Sequence, residues 1–346
     1  MHPDCGQIEG GPTGRLKGGD SMTTMNRGVR ALCTGLSALL ATTAATAVAA
    51  QQFPSEPIRI VIGFAAGGST DTNTRALAAA AEETCGTEIV ITNQPGGSGV
   101  IALDTVRNSD ADGYTIATTP TEISAVSHMG LSDITHQDFS AVMRFVFDPH
   151  GFFVTPDPPY DSLQDVVDAA KGGETIRVAT SGPASPYAIT FEDMARNTGV
   201  TGQLVNIPYQ GDAMAIPAAL SGEVDLLVTN ASNVVGQVAE EALVPLGVAS
   251  DSRIAILPDT PTLAEQGIDV TGGSIFGLAV PAGTPADRVE ALNSCFEAAF
   301  RSDSFNAYVE QSGVNPAYLG AADYDAYLAA EYQRYGELLE QLGLAQ

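Results

Sequence analysis

Ile58-Arg-Ile-Val-Ile-Gly-Phe-Ala-Ala-Gly-Gly-Ser-Thr-Asp71 decides the fold class of this chain. Ile58–Phe64 is a short, nearly continuous apolar run, as expected of a strand covered on both faces. Gly67 and Gly68 permit φ > 0 and let the backbone come close to a ligand. Ser69, Thr70 and Asp71 are all N-cap residue types, and the alanine-rich sequence behind them is a good helix former. Strand, glycine turn and capped helix in immediate succession predict the opening of an α/β unit. The unpaired amides and the positive end of the helix dipole face outward there, an arrangement suited to an anion.

The same alternation continues downstream. It predicts a helix near Asp71–Glu83, a strand at Glu88–Thr92, a helix near Ser98–Asn108 and a strand at Tyr114–Thr118. Right-handed βαβ units on a mostly parallel sheet follow from such a pattern. Phe145–Thr155 is β-rich and runs into Thr155-Pro-Asp-Pro-Pro159, which reads as a crossover into a second domain. There the expected order is a helix at Ser162–Ala170, a strand at Ile176–Thr180 and a helix at Pro186–Thr198. Gln203–Ile207, Ala213–Leu220, Val224–Val228 and Val244–Ala249 extend the alternation. Ile275–Val280 is apolar and forms a second crossover, and Asp287–Phe300 and Ala322–Leu342 are amphipathic helices. The expected division is a first domain of residues 51–153 and 277–346, with residues 154–276 as the second.

The first fifty of the 346 residues read as a leader rather than folded protein. Arg27 and Arg30 precede the apolar run Ala31–Leu40, and small residues lead to Ala50, the expected cleavage point of a secretory signal. Residues 1–21 read as an extension upstream of a start at Met22 or Met25. The apolar run is too short to span a bilayer, which takes about 20 residues. Four of the 15 basic and three of the 41 acidic residues lie in the leader, which leaves 11 against 38, a net charge of −27. Nucleic acid and anionic membrane surfaces, which call for basic patches, are thereby excluded as partners. Two cysteines follow the leader, Cys85 and Cys295, and an oxidising compartment favours one disulfide closing a long loop. Two buried free thiols are the alternative. No metal-ligand spacing and no cofactor motif is present.

Five polar or glycine-bearing loops follow predicted strands: Phe64–Asp71, Thr118–Glu122, Ala179–Pro186, Pro208–Asp212 and Thr229–Ser232. In open α/β sheets ligands sit beyond the carboxyl ends of strands, so the convergence of these loops describes a cleft. Ala65–Thr70 lacks a P-loop lysine, and its glycines are not spaced as in a dinucleotide fingerprint. Ser69 and Ser181 lie near turns, but neither sits in a nucleophile elbow or has an evident base.

Several segments, in order from about residue 53 onward, resemble one family. Phe53–Thr72, Asn93-Gln-Pro-Gly-Gly97, Asp112-Gly-Tyr-Thr-Ile116 and Val178-Ala-Thr-Ser-Gly182 carry the resemblance. Pro208-Tyr-Gln-Gly211, Gly222-Glu-Val-Asp-Leu226, Leu257–Gly267 and Phe276–Pro285 complete it. The chain resembles the tripartite tricarboxylate transporter receptors, the TctC or Bug extracytoplasmic solute-binding proteins. The resemblance implies a two-domain periplasmic-binding-protein (Venus flytrap) fold, type II-like, with two crossover strands. It implies no enzymatic activity, no cofactor and no metal. A periplasmic receptor, acting as a monomer, would hold a small organic carboxylate and deliver it to permease subunits in the membrane.

The resemblance also implies the contacts. Phe64, Ala65, Ala66, Gly67, Gly68 and Ser69 would face Thr180, Ser181, Gly182 and Ser185 across the cleft. Together they would grip one carboxylate through amides, hydroxyls and water. Thr119, Thr121, Tyr209, Asn230 and Ser232 would line the remainder. Where relatives often carry Pro-Tyr-Lys-Gly-Ser/Thr, this chain has Pro208-Tyr-Gln-Gly-Asp212. That departure favours a mono- or dicarboxylate over citrate, and Asp212 could meet an amino group. A receptor signalling to a membrane kinase, and a secreted hydrolase using Ser69 or Ser181, are the competing readings.

Overall fold

The computed structural model describes residues 53–156, 160–180, 185–209 and 211–346. The expected leader, Ser181 and Gly182 lie outside them. Among the described residues ten strands form one continuous mixed sheet, in the order β2-β1-β3-β9-β4-β7-β5-β6 with β8 and β10 also paired to β4.

The chain enters at β1 (Ile58–Ile62), passes through α1 (Ser69–Cys85) to β2 (Ile89–Asn93), then through α2 (Val100–Arg107) to β3 (Thr115–Thr118). β2 and β3 flank β1 in parallel, so both edges of β1 are paired, and four of its five residues are buried. This is the βαβ unit expected of that apolar run. β4 (Phe139–Val154) is a single 16-residue strand. Its first half pairs with β9 and β10, and its second half with β7 and β8.

Beyond β4 come α3 (Leu163–Lys171), β5 (Ile176–Thr180), α4 (Pro186–Thr198) and β6 (Leu204–Pro208). α5 (Asp212–Leu220), β7 (Leu226–Asn230), α6 (Val235–Ala239) and β8 (Val244–Val248) follow. β6 and β7 flank β5 in parallel, which repeats the arrangement around β1. β9 (Gly273–Pro281) then runs back antiparallel along β4, from Gly273 opposite Pro149 to Pro281 opposite Phe139. The flanks are thus parallel and the centre antiparallel, because the two crossing strands run in opposite directions.

The last elements are α7 (Ala286–Phe300), α8 (Asp303–Ser312), β10 (Pro316–Gly320) and α9 (Ala321–Leu342). α7 packs against α1, and a Cys85–Cys295 disulfide joins them across 210 residues. One apolar cluster gathers Ile60, Leu77, Phe145, Leu278 and Phe296. Another gathers Phe152, Leu163, Val178, Phe191 and Val228. These two cores lie on the two flanks, and β4 contributes to both. The C-terminal part of α9 reaches the second flank as well, where Tyr335, Leu338 and Leu339 pack with Ile189 of α4. α8, β10 and the first residues of β4 were not predicted from sequence. Among the described residues no helix is long and apolar enough to cross a membrane.

Candidate functional site

A cavity of about 1120 Å³ opens where the loops after β1, β3 and β7 meet the starts of α4 and α5. The crossing strands form its floor through Ser274, Ile275 and Phe276 of β9. Strand carboxyl ends from both flanks therefore converge on one space, as the loop pattern predicts.

The first wall is built by the opening segment. Gly67 takes φ +87°, a conformation in which a side chain would be strained, and the loop turns there into α1. The helix starts one residue earlier than its sequence of cap types suggests. Gly68 is the N-cap, and no side chain bonds the first-turn amides. Asp71 is spent elsewhere: its carboxylate accepts the Gly67 amide at 2.9 Å, Arg75 Nε at 2.9 Å and Asn93 Nδ2 at 2.8 Å. Asn93 Nδ2 also donates to the Phe64 carbonyl at 3.0 Å. Burial would raise the Asp71 pKa, but the bonds from Arg75, Gly67 and Asn93 hold it below the usual carboxylate range. The loop is thus anchored at both ends by β2 and by its own helix, and the first-turn residues Ser69 and Thr70, whose amides have no side-chain cap, line the cavity.

The second wall differs. Ser185 caps α4 by accepting the Ala188 amide at 3.2 Å, and Pro186 at the first helical position has no N–H. Beside it Asp212, at the start of α5, accepts Thr229 Oγ1 at 2.8 Å, Tyr187 Oη at 3.2 Å and Asn233 Nδ2 at 3.0 Å. Burial pushes the Asp212 carboxyl up, against the bonds from Thr229 and Tyr187. Glu122, on the short 3-10 turn Thr121–Ser124 after β3, also lines the cavity and is pushed up to about 7 by loss of solvent.

Behind the floor, Asp148 and His150 of β4 are fully buried. Ser232 donates its hydroxyl to Asp148, whose other oxygen has no partner among the described residues. Burial pushes Asp148 up to about 7, while the hydroxyl and amide of Ser232 work against that shift. His150 bonds Thr190 at 2.8 Å and stacks edge-on against Tyr187, and burial lowers its pKa to about 3. Ser274 lies 3.4 Å from His150, but its hydroxyl donates to Asn230 at 2.8 Å, and among the described residues no carboxylate backs the imidazole. That pair is not an activated nucleophile.

Of the residues singled out from sequence, Phe64, Ala65, Ala66, Gly67, Gly68, Ser69, Thr121, Ser185, Asn230 and Ser232 line the cavity together. Thr119 does not: it is fully buried behind β3, bonded to the Tyr324 hydroxyl at 2.7 Å. Thr180 is buried and donates to Asn206 at 2.7 Å. Tyr209 turns outward to Glu223 at 2.9 Å. Asn73, Tyr187, Asn233, Ser274 and Tyr308 line the cavity without having been singled out. Polar residues on the buried side of an alanine-rich helix marked Asn73. Asp148-Pro-His150 inside an aromatic strand marked the polar floor.

The receptor model of the tripartite tricarboxylate transporter family matches residues 74–344. The chain belongs to that family. It is similar to "UPF0065 protein in gbd 5'region" of Cupriavidus necator, at 29% identity over 86% of this chain and 90% of that one. Among solved structures it resembles a TctC solute binding protein from Polaromonas, at 30% identity and a TM-score of 0.75 over 84% of this chain and 99% of that one. A protein of R. palustris determined with adipate matches at 28% identity and a TM-score of 0.74, covering 85% of this chain and 99% of that one. The receptor therefore has the two-domain periplasmic-binding-protein fold and is a solute-binding protein rather than an enzyme.

Proposed function

We propose that this receptor captures a small organic carboxylate in the cavity, in the periplasm, for delivery to a tripartite tricarboxylate-type permease. The observation that carries the proposal is the first turn of α1. Its amides have no side-chain cap, and its residues Ser69 and Thr70 line a cavity shared by strand ends from both flanks. Helix amides and dipole bind an anion without a counter-charge from the protein, which reconciles anion capture with a net charge of −27 after the leader. The relative determined with adipate supports a carboxylate ligand. Glu122 and Asp212 on the walls favour one or two carboxylates over three. Closure over the ligand is a population shift, limited by the ligand's extra affinity for the closed form.

A thermal-shift panel of mono-, di- and tricarboxylates with neutral sugars as controls tests this reading. A ligand at about 100 times its Kd adds about 2.7 kcal/mol of stability. Stabilisation by a mono- or dicarboxylate is expected. Stabilisation by sugars and by no carboxylate would overturn the proposal.

A further inference from the structure

An anion clamp leaves Asp212 without a purpose. The residue lines the cavity, and the described lining contains no lysine, arginine or histidine to neutralise it. A carboxylate offers about four lone-pair directions, two on each oxygen. Tyr187 and Asn233 occupy both on Oδ2, and Thr229 takes one on Oδ1. One acceptor direction on Oδ1 remains. All three donors are neutral, and the group sits at the N-terminus of α5, so the surroundings organise a carboxylate as an anion without cancelling its charge.

The cavity is therefore polar in one direction. Uncapped first turns face it from both α1 and α5, but α5 alone of the two also presents a held carboxylate to it. At the start of α4, Ser185 caps the Ala188 amide and Pro186 has no N–H, which takes two first-turn positions away from an anion. A second carboxylate on the ligand would approach Asp212 with no cation of the protein between them, in a partly desolvated space where like charges repel strongly. A protonated amine there would meet the vacant acceptor and its missing counter-charge together.

We propose that the receptor selects carboxylates that also carry an N–H cation, with the carboxylate at the first turn of α1 and the cation on Asp212 Oδ1. The proposal rests on the carboxylate reading above and narrows it to amino carboxylates.

Calorimetric titration of the purified protein with matched probes tests it. Each set pairs an amino carboxylate, with its amine at the α or ω position, with two compounds of the same length. One replaces ammonium by methyl, the other by carboxylate. At one length in the range of three to six carbons, the amino carboxylate should bind about ten-fold or more tighter than both partners, the size of one charge-assisted bond. Asp212→Asn should weaken the amino carboxylate and strengthen the dicarboxylate, so that their order reverses. If the monocarboxylate or dicarboxylate equals the amino compound at every length, the proposal falls while the carboxylate reading stands. If no compound bearing a carboxylate binds, both fall. The wild-type comparison decides the matter even if the variant folds poorly.

Discussion

Asp71→Asn removes one charge from the group that anchors the binding loop and leaves its size unchanged. Asp71 is 3% exposed and holds three donors: the Gly67 amide, Arg75 Nε and Asn93 Nδ2. Hydrogen bonds to a charged group contribute about 1.5–3 kcal/mol each. Arg75 Nε lies 2.9 Å from both oxygens, so the asparagine oxygen keeps two of the three, and its NH₂ faces the remaining donor and is repelled by it. Gly67 is exposed and the Arg75 side chain is 47% exposed, so water recovers part of the loss at both. The net cost is about 2–4 kcal/mol, which lowers Tm by about 5–10 °C for a chain of this size. Loosening residues 64–68 also scatters the amides that meet the ligand, so carboxylate affinity should fall about ten-fold or more. Urea melts followed by circular dichroism and calorimetric titration of the same preparation measure both effects. Wild-type stability with wild-type affinity would refute the role assigned to Asp71.

The other expectations concern the crossing strands and the packing around the loop. His150, lowered to about 3, contributes stability that is complete above 6.5 and lost as pH falls toward 3. Asp148, raised to about 7, contributes stability complete below 3.8 and lost as pH rises through 7. Asp148→Asn should therefore make the slope of stability against pH between 4 and 6.5 more positive by about 1.4 kcal/mol per unit, read from urea melts; an unchanged slope would contradict the burial argument. A Cβ on Gly63 would lie 2.6 Å from Gly99 Cα, backbone against backbone, so Gly63→Ala should cost about 1–3 kcal/mol and displace Phe64. A melt indistinguishable from wild type would show that the loop has room to shift. Reducing Cys85–Cys295, which closes a 210-residue separation, should cost about 3–5 kcal/mol in melts with and without dithiothreitol, and equal midpoints would exclude that contribution.

The strand-turn-helix of residues 58–85 was legible because each local signal agreed: apolar run, glycine turn and helix former succeed one another without conflict. Ile176–Thr180 and Pro186–Thr198 were legible to the residue for the same reason, with Ser185 and Pro186 marking the helix start. Asp303–Ser312 was not, since its polar, short sequence has weak periodicity and its place is set by packing of Phe305 against the first core. The N-cap was misplaced because Asp71 has a tertiary use, bonding Asn93 and Arg75. Thr119 and Tyr209 illustrate a further limit. Sequence places a residue on a loop, but the partner that turns its side chain, Tyr324 or Glu223, comes from 205 or 14 residues away. Asp212 was visible as a departure from a common pattern. Its three donors became visible only in the folded arrangement.

A crystal structure of the receptor with the tightest ligand from the thermal panel tests whether the first turn of α1 holds the carboxylate. Carboxylate oxygens are expected within about 2.7–3.2 Å of the amides of Ser69 and Thr70. A ligand whose carboxylate points away from that turn, or that lies outside the cavity, would contradict it.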